Sequence, residues 1–210
     1  MSTGTKSEIV LIRHGITTAN IQRLYYGGTD VPLSEKGIAR LKEQKAQGIY
    51  PDGEGADFYT SGMLRTEQTL EILYGEREHV KVPLLKELHF GELEMKSYEE
   101  LEKVPEYKNW IMSGDDTMPP PGGESIAQFL KRVRKGFDEV RAGHEQRVLE
   151  LRHSEKEARS ICVCHGGVIS GIMNYIWPDA HKDFYEWIPD PGHGYLLSLE
   201  GGKVTGHKMF

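Results

Sequence analysis

Two short, fully apolar segments, residues 9–12 and 161–164, give the first indication of the fold. An uninterrupted apolar run of this length is typical of a strand buried on both faces, as in the middle of a parallel sheet. Between the two segments, apolar residues recur with helical spacing. Alternating strands and helices predict an α/β fold, and we expect a three-layer α/β/α sandwich with a mostly parallel central sheet.

Serine residues mark the beginnings of three predicted helices. Ser34 directly precedes one charged helical stretch, and Ser61 precedes a second with leucines at positions 64, 70 and 73. Ser125 is followed three residues later by Gln128, which is the pattern of a capping box. The apolar residues after Ser125 then form one helical stripe, namely Ile126, Phe129, Leu130, Val133, Phe137 and Val140. We expect the charged residues 152–159 to continue this helix as a solvated face or to form a loop.

The end of the chain predicts two closing strands. Residues 194–199 and 203–209 have strand-like composition and are joined at Gly201 and Gly202. The 210 residues contain no repeat, no low-complexity tract and no linker that we can identify. We therefore expect residues 1–210 to form one domain.

Composition limits the partners more than it identifies them. A net charge of −6 argues against nucleic acid, whose binding needs a basic face. No stretch of about 18 consecutive apolar residues occurs, so we expect no membrane span. Residues 1–6 lack the apolar core of a signal peptide, which makes a cytoplasmic location the default expectation. The oligomeric state is not predicted.

The two cysteines, Cys162 and Cys164, fall within the second apolar segment. On a strand they share one face, whereas His165 points to the other, so the group is a poor set of metal ligands. We interpret both cysteines as small core residues and expect no metal site.

Histidine follows both apolar segments, and this is the main chemical signal. His14 and His165 are each followed by glycine, and Arg13 precedes the first. Ligands of open α/β sheets bind beyond the carboxyl ends of the strands, so both histidines can face one crevice. Helix N-termini at the same edge offer N–H groups to an anion. Either histidine alone could be a satisfied residue at a strand end, but a shared phosphate site explains both.

At this point the sequence resembles the histidine phosphatase superfamily, which includes the cofactor-dependent phosphoglycerate mutases. The resemblance covers nearly the whole chain. It rests on motifs in a fixed order: residues 11–15 with Thr17 and Asn20, Gly27 with residues 32–34, residues 60–69 around Arg65, residues 85–91 around Glu87, residues 122–125, and residues 163–167.

The resemblance implies a role for each site residue. His14 is the nucleophile that forms a phosphohistidine, Glu87 is the general acid and base, and His165 donates to the phosphate oxygens. The implied phosphate-binding residues are Arg13, Asn20, Gly27, Arg65 and Gly166, with arginine suited to gripping oxygens bidentately. No metal and no cofactor are implied for hydrolysis. Residue patterns alone would instead leave Arg65 and Glu87 on the surface, and would place Trp110, Trp177, Tyr185 and Trp187 in the core.

The motif around Glu87 favours a phosphatase over a mutase. Mutases of this family usually carry arginine after this glutamate and two arginines after the tryptophan of the later segment, where this chain has Leu88, Ile111 and Met112. Asp115 and Asp116 add negative charge, which suits a second phosphate poorly. We therefore expect hydrolysis of small phosphorylated metabolites. A mutase and a non-catalytic phospholigand-binding protein are the alternatives.

Overall fold

A parallel pair of strands forms the centre of the sheet in the computed structural model, which describes residues 6–180 and 183–210. The strands are β1 (Lys6–Arg13), β2 (Leu24–Tyr25), β3 (Asp57–Thr60), β4 (Val80–Lys81), β5 (Lys96–Ser97), β6 (Ala158–Cys164), β7 (Gly194–Glu200) and β8 (Lys203–Met209). The helices are α1 (Thr18–Ile21), α2 (Glu35–Ala46), α3 (Leu64–Tyr74), α4 (Tyr98–Leu101), α5 (Pro105–Met112), α6 (Ile126–Leu151) and α7 (Gly166–Ile176). Residues 1–5, on which the signal-peptide expectation partly rests, lie outside the described residues.

The main sheet has the order β4-β3-β6-β1-β7-β8. Strands β4, β3, β6 and β1 run parallel, β7 is antiparallel to β1, and β8 is antiparallel to β7 at the edge of the sheet. This confirms the predicted mostly parallel sheet and both closing strands. None of the helices in residues 6–180 and 183–210 is long and apolar enough to cross a membrane.

Alternating residues of β1 and β6 build a core on each face of the sheet, as expected of strands buried on both sides. Ile9, Leu11 and both cysteines face the layer formed by α6 and α7. Val10 and Ile12 face the layer that includes Leu41 of α2 and Leu70 of α3. The three-layer α/β/α prediction is therefore confirmed. The cysteines are buried free thiols, and residues 6–180 and 183–210 contain no cluster of His, Cys, Asp or Glu suited to a metal ion.

Two of the three predicted serine caps are confirmed. The Ser34 side chain accepts the N–H of Gly37, and Ser125 forms a reciprocal capping box with Gln128. The prediction for Ser61 is wrong, because Met63 occupies the cap position of α3 without a side-chain hydrogen bond. Helix α6 ends at Leu151, so the charged stretch does not extend it; the end of that stretch forms the first residues of β6.

A smaller unit lies apart from the main sheet. We call residues 91–112 the cap: they include β5, which pairs with β2, and helices α4 and α5. Leu93, Leu101 and Tyr107 form its buried centre, and Tyr25, Phe90, Val104 and Trp110 pack against them. The cap thus has its own small apolar core, supported by the segment that contains β2.

Candidate active site

The register of β1 and β6 brings the two histidines together. Arg13 and Cys164 are paired, so the next residue of each strand leaves the sheet at the same edge, and the N–H of His14 donates to the carbonyl of Cys164 at 3.0 Å. The two imidazole ring centres lie 5.3 Å apart. Both rings are buried. The crevice predicted at the carboxyl ends of the strands therefore exists.

His14 is held in one tautomer. Its Nδ1 lies 2.7 Å from the carbonyl oxygen of Gly15, and because a carbonyl only accepts, Nδ1 carries the proton. Burial, followed by the positive charges of Arg65 and Arg13, holds the pKa of His14 well below its usual value. The ring is therefore neutral, and Nε2 keeps a free lone pair.

His165 has a protein partner at each ring nitrogen. Nε of Arg65 donates to Nδ1 at 3.2 Å, so Nε2 carries the proton and donates to the Ser61 hydroxyl at 2.8 Å. Burial, then Arg65 and His14, keep the pKa of His165 well below its usual value. Ser61, expected to cap a helix, instead fixes this ring.

Arg65 is completely buried rather than on the surface. Its Nη2 donates to the carbonyl of Gly27 at 2.9 Å and its Nη1 to that of Thr29 at 3.1 Å. Its guanidinium also lies 5.1 Å from the centre of the Tyr26 ring. With Nε bound to His165, three of the five N–H groups have protein acceptors and two remain for a ligand.

Arg13 has a buried donor available. Its Nη1 donates to the carbonyl of Pro189 at 2.8 Å, whereas its buried Nε has no hydrogen-bond partner among the described residues. A side chain at Gly166 would come within 3.2 Å of the guanidinium carbon, so the glycine gives Arg13 room. Unpaired buried donors are rare and need an explanation, and an anion in the crevice supplies one.

Asn20 takes part in a capping box with Thr17 at the start of α1. Its Oδ1 accepts from the backbone N–H and the hydroxyl of Thr17 and from the hydroxyl of Tyr26, at 2.9–3.1 Å. These three donors fix the orientation of the amide, so that Nδ2 is the group left to donate. Asn20 can therefore stabilise the start of α1 and still donate to a phosphate oxygen, as predicted.

Glu87 lies next to this crevice. Its two carboxylate oxygens accept the N–H groups of Leu88 at 3.0 Å and Gly167 at 2.9 Å, which links the carboxylate to the start of α7 directly after His165 and Gly166. Burial lowers the pKa of Arg13, and the negative charge of Glu87 is the strongest of the effects that raise it. A side chain at Gly27 would collide with the carbonyl of Leu88, so the glycine allows the two loops to approach.

The backbone of Glu87 is held by a residue that sequence reasoning missed. Arg132 of α6 donates to the carbonyls of Leu84, Lys86 and Glu87 at 2.6–2.9 Å. It also forms a two-point ion pair with Glu124 at 2.6 and 2.7 Å. We call Arg132 and Glu124 the clamp. All five N–H groups of Arg132 are used, and the only sequence signal was a charged residue on the polar face of a predicted helix.

A cavity of about 1330 Å³ opens beside Glu87 and Gly167. Its wall includes Trp110 and Tyr185, which the sequence analysis placed in the core. That expectation is wrong for exposed Tyr185, whereas Trp110 lines the cavity and also packs against the apolar core of the cap. Trp177 and Trp187 do stack on each other, with Trp187 buried in the core beside the sheet. Leu88, Ile111, Asp115 and Asp116 line the cavity, as the argument against a second phosphate assumed, but so do Arg23, Lys131 and Arg134.

Comparisons with known proteins agree with this geometry. The family model described as "Histidine phosphatase superfamily (branch 1)" matches residues 9–209. The chain belongs to the histidine phosphatase superfamily. This confirms the resemblance seen in its motifs, since the match includes both strand-end histidines and the segments that carry Arg65 and Glu87.

The relatives of this superfamily member have both activities in their names. A metal-independent phosphoserine phosphatase of Arabidopsis thaliana is 31% identical over 79% of this chain and 67% of its own length. A 2,3-bisphosphoglycerate-dependent phosphoglycerate mutase of Bradyrhizobium diazoefficiens is 34% identical, but over 60% of this chain, which spans just under two thirds (63%) of that mutase. The solved alpha-ribazole phosphatase of Shigella flexneri has the same fold, with a TM-score of 0.71 and 23% identity over 94% of this chain and 93% of that one.

Proposed function

We propose that this protein is a phosphatase that hydrolyses phosphate monoesters of small metabolites through a phosphohistidine on His14. The observation that carries the proposal is the state of His14: a buried, neutral ring with Nδ1 bound to the Gly15 carbonyl and Nε2 free. A nucleophile with this lone pair lies beside buried Arg65 and half-buried Arg13, which keep N–H groups for phosphate oxygens.

The proposed reaction has two steps. Nε2 of His14 attacks phosphorus, the bond between phosphorus and the ester oxygen breaks, and protonated Glu87 gives its proton to the departing alcohol. Water then loses a proton to the Glu87 carboxylate and attacks phosphorus, which breaks the phosphorus–nitrogen bond and releases phosphate. Arg13 and Arg65 offset the charge on the equatorial oxygens in both steps. Protein side chains supply every group in this scheme, so it needs neither a metal nor a cofactor.

Mutase activity is the second candidate, because it has its own support. Relatives named as mutases exist, and three basic residues line the cavity. Against it, the position after Glu87 is the buried Leu88, and Ile111 is the neighbouring cavity residue in the segment where mutases are usually basic. These positions make the cavity a poor site for a second phosphate near the reacting one.

One experiment separates the candidates. The purified protein is incubated with a nitrophenyl phosphate and, separately, with 3-phosphoglycerate in the presence of the bisphosphate, and all products are quantified. We expect release of inorganic phosphate, an acid-labile phosphoprotein that His14→Ala lacks, and negligible isomerisation. Efficient bisphosphate-dependent isomerisation would instead identify a mutase. Tight binding of a phosphate ester with neither reaction would identify a non-catalytic binding protein.

A further inference from the structure

The cavity beside Glu87 is larger than a small polar metabolite requires. Ligand pockets of proteins usually enclose about 300–1,000 Å³, whereas this cavity measures about 1330 Å³. Glu87 and Gly167 form part of its wall, and they are hydrogen-bonded to each other. The cavity therefore begins at the carboxylate proposed to act on the ester, so the residues that line it influence which ester is hydrolysed.

Aromatic side chains from both sides form the interior of the cavity. Tyr25, Phe90 and Trp110 belong to the cap side, and their rings contact one another edge to face with centres 5.5 Å (Tyr25–Phe90) and 6.0 Å (Phe90–Trp110) apart. Helix α6 contributes Phe129, and α7 contributes Tyr175. Rings that hold each other in place form a rigid apolar surface at little entropic cost.

Charged lining residues have a different position. Arg23, Lys131, Arg134, Asp115 and Asp116 are all solvent-exposed, whereas Phe129 and Leu88 are buried and the other rings named above are half-buried. These charges therefore lie at the mouth, where Tyr98, Ile111 and Tyr185 are also exposed, and the buried and half-buried rings lie inside. One of the charged residues, Arg134, is already placed over the Tyr175 ring at 4.3 Å. Arg13 and Arg65 are assigned to the transferred phosphate, so a further charged group bound among the buried rings would lose its hydration without a cation of its own.

The direction of the substrate follows from the proposed function, on which this step rests. If Glu87 protonates the ester oxygen, that oxygen lies within hydrogen-bond reach of the carboxylate. Buried His14, His165 and Arg65 close the far side of the site, so the alcohol must extend into the cavity. From the interior lining we infer that the preferred substrates are phosphate monoesters whose alcohol carries a bulky aromatic or other apolar group.

The test uses propyl phosphate, 3-phenylpropyl phosphate and 3-(2-naphthyl)propyl phosphate. The ring is remote from the ester oxygen, so the three leaving alcohols have similar acidity and differ mainly in the apolar area they can bury. We expect kcat/KM to rise by at least about tenfold from the propyl to the phenylpropyl ester, and further for the naphthyl ester. The apolar surface of the ring that is buried in the cavity stabilises the bound transition state in proportion to its area. O-phosphoserine serves as the small charged comparison and should be the poorest of the four.

Two variants connect this preference to the cavity. Trp110→Ala removes part of the aromatic surface and should lower the ratio of naphthyl to propyl kcat/KM by about tenfold or more. Phe210→Ala removes a half-buried ring outside the cavity wall and should leave the ratio unchanged. Hydrolysis of all four esters with a flat ratio, or a preference for phosphoserine, would overturn this inference and leave the proposed function standing. Failure to hydrolyse any of them, with no phosphoprotein formed, would overturn the proposed function itself.

Discussion

The clamp offers a way to perturb catalysis without changing any group that touches the substrate. Arg132 donates to the carbonyl of Glu87 and to those of Leu84 and Lys86 while it is paired with Glu124. Arg132→Met therefore frees the backbone that carries the Glu87 carboxylate. It also leaves one carboxylate without its cation and three carbonyls without their donor.

The cost to stability can be estimated from the exposure of the pair. Removing one partner of a fully buried ion pair costs about 3–5 kcal/mol. Here the Arg132 and Glu124 side chains are 21% and 17% exposed, so water can replace part of the lost ion pair and hydrogen bonds. We expect Arg132→Met to lower the free energy of unfolding by about 2–3 kcal/mol. Urea unfolding measures this quantity, with Arg141→Met as the matched control, since Arg141 lies on the same helix and donates to the carbonyl of Gly202.

The catalytic effect should depend on the leaving group. General acid catalysis is worth about 10²–10⁴-fold, and only a poor leaving group needs all of it. We expect Arg132→Met to slow single-turnover phosphorylation of His14 about 10–100-fold with an alkyl phosphate, and by a much smaller factor with nitrophenyl phosphate. Arg132→Lys keeps the charge but not the planar guanidinium, and its rate of His14 phosphorylation should lie between those of the parent protein and Arg132→Met. Equal slowing with both substrates in a folded variant would show that the clamp stabilises the loop without positioning Glu87.

Three further predictions concern single groups. Glu87→Gln should slow phosphorylation of His14 by alkyl phosphates far more than by nitrophenyl phosphate, because the amide cannot supply the proton, and rapid quench with both esters measures this. Dialysis against a chelator should leave the hydrolysis rate unchanged, since the proposed reaction uses only protein groups. Burial lowers the pKa of His144 to about 4, so acidification from pH 7 to 4.5 protonates the unfolded chain first and costs the fold about 2–3 kcal/mol. His144→Gln should remove that share of the decline in urea unfolding.

Each of these predictions has a contrary outcome. If Glu87→Gln slows both esters equally, the carboxylate only positions the substrate and another group supplies the proton. Activity lost to the chelator and restored by a divalent ion would contradict the scheme without metal. His14 and His165, whose pKa values are also low, add to the same loss of stability in acid. The test for His144 therefore compares how the free energy of unfolding falls with pH in the variant and in the parent protein. Equal dependence on pH in both would refute the assignment.

The strands and the pairing of the histidines could be predicted because they depend on local pattern. An apolar run of four or more residues must be buried on both faces, which places β1 and β6 inside the sheet. Histidine directly after each run then lies at the carboxyl edge. The pairing of Arg13 with Cys164 makes the two strands neighbours in register.

Arg65 shows where local pattern fails. It lies early in a helix among polar residues, which by itself indicates a surface position. In the structure its acceptors are the carbonyls of Gly27 and Thr29 and a nitrogen of His165, up to 100 positions away. No periodicity records such partners, and only the resemblance assigned Arg65 to the site. His144 is a similar case, since its two ring nitrogens are hydrogen-bonded to the hydroxyls of Ser160 and Ser7, each at 2.9 Å, and both serines are distant in the sequence.

The cavity positions of Trp110 and Tyr185 could not be predicted for a different reason. Hydrophobicity predicts that a tryptophan avoids water, but the wall of a cavity satisfies this as well as the core does. Trp187 and Trp110 have comparable sequence contexts, yet one is sealed beneath the sheet and the other forms part of the cavity. Trp187 packs within the main core, whereas Trp110 packs on the small core of the cap and also faces the cavity, and this difference depends on residues distant in the sequence.

His165 raises the remaining chemical question, namely how it can donate to a phosphate, and Arg65 helps to answer it. Its Nε2–H donates to Ser61, so it can reach a phosphate oxygen only by exchanging that acceptor. The exchange does not leave the Ser61 hydroxyl alone, because it also lies 3.1 Å from the hydroxyl of Thr66. Arg65 keeps Nδ1 of His165 as an acceptor, and so keeps the proton on Nε2, where a phosphate needs it. The contact that buries Arg65 therefore also fixes the tautomer that makes His165 a donor.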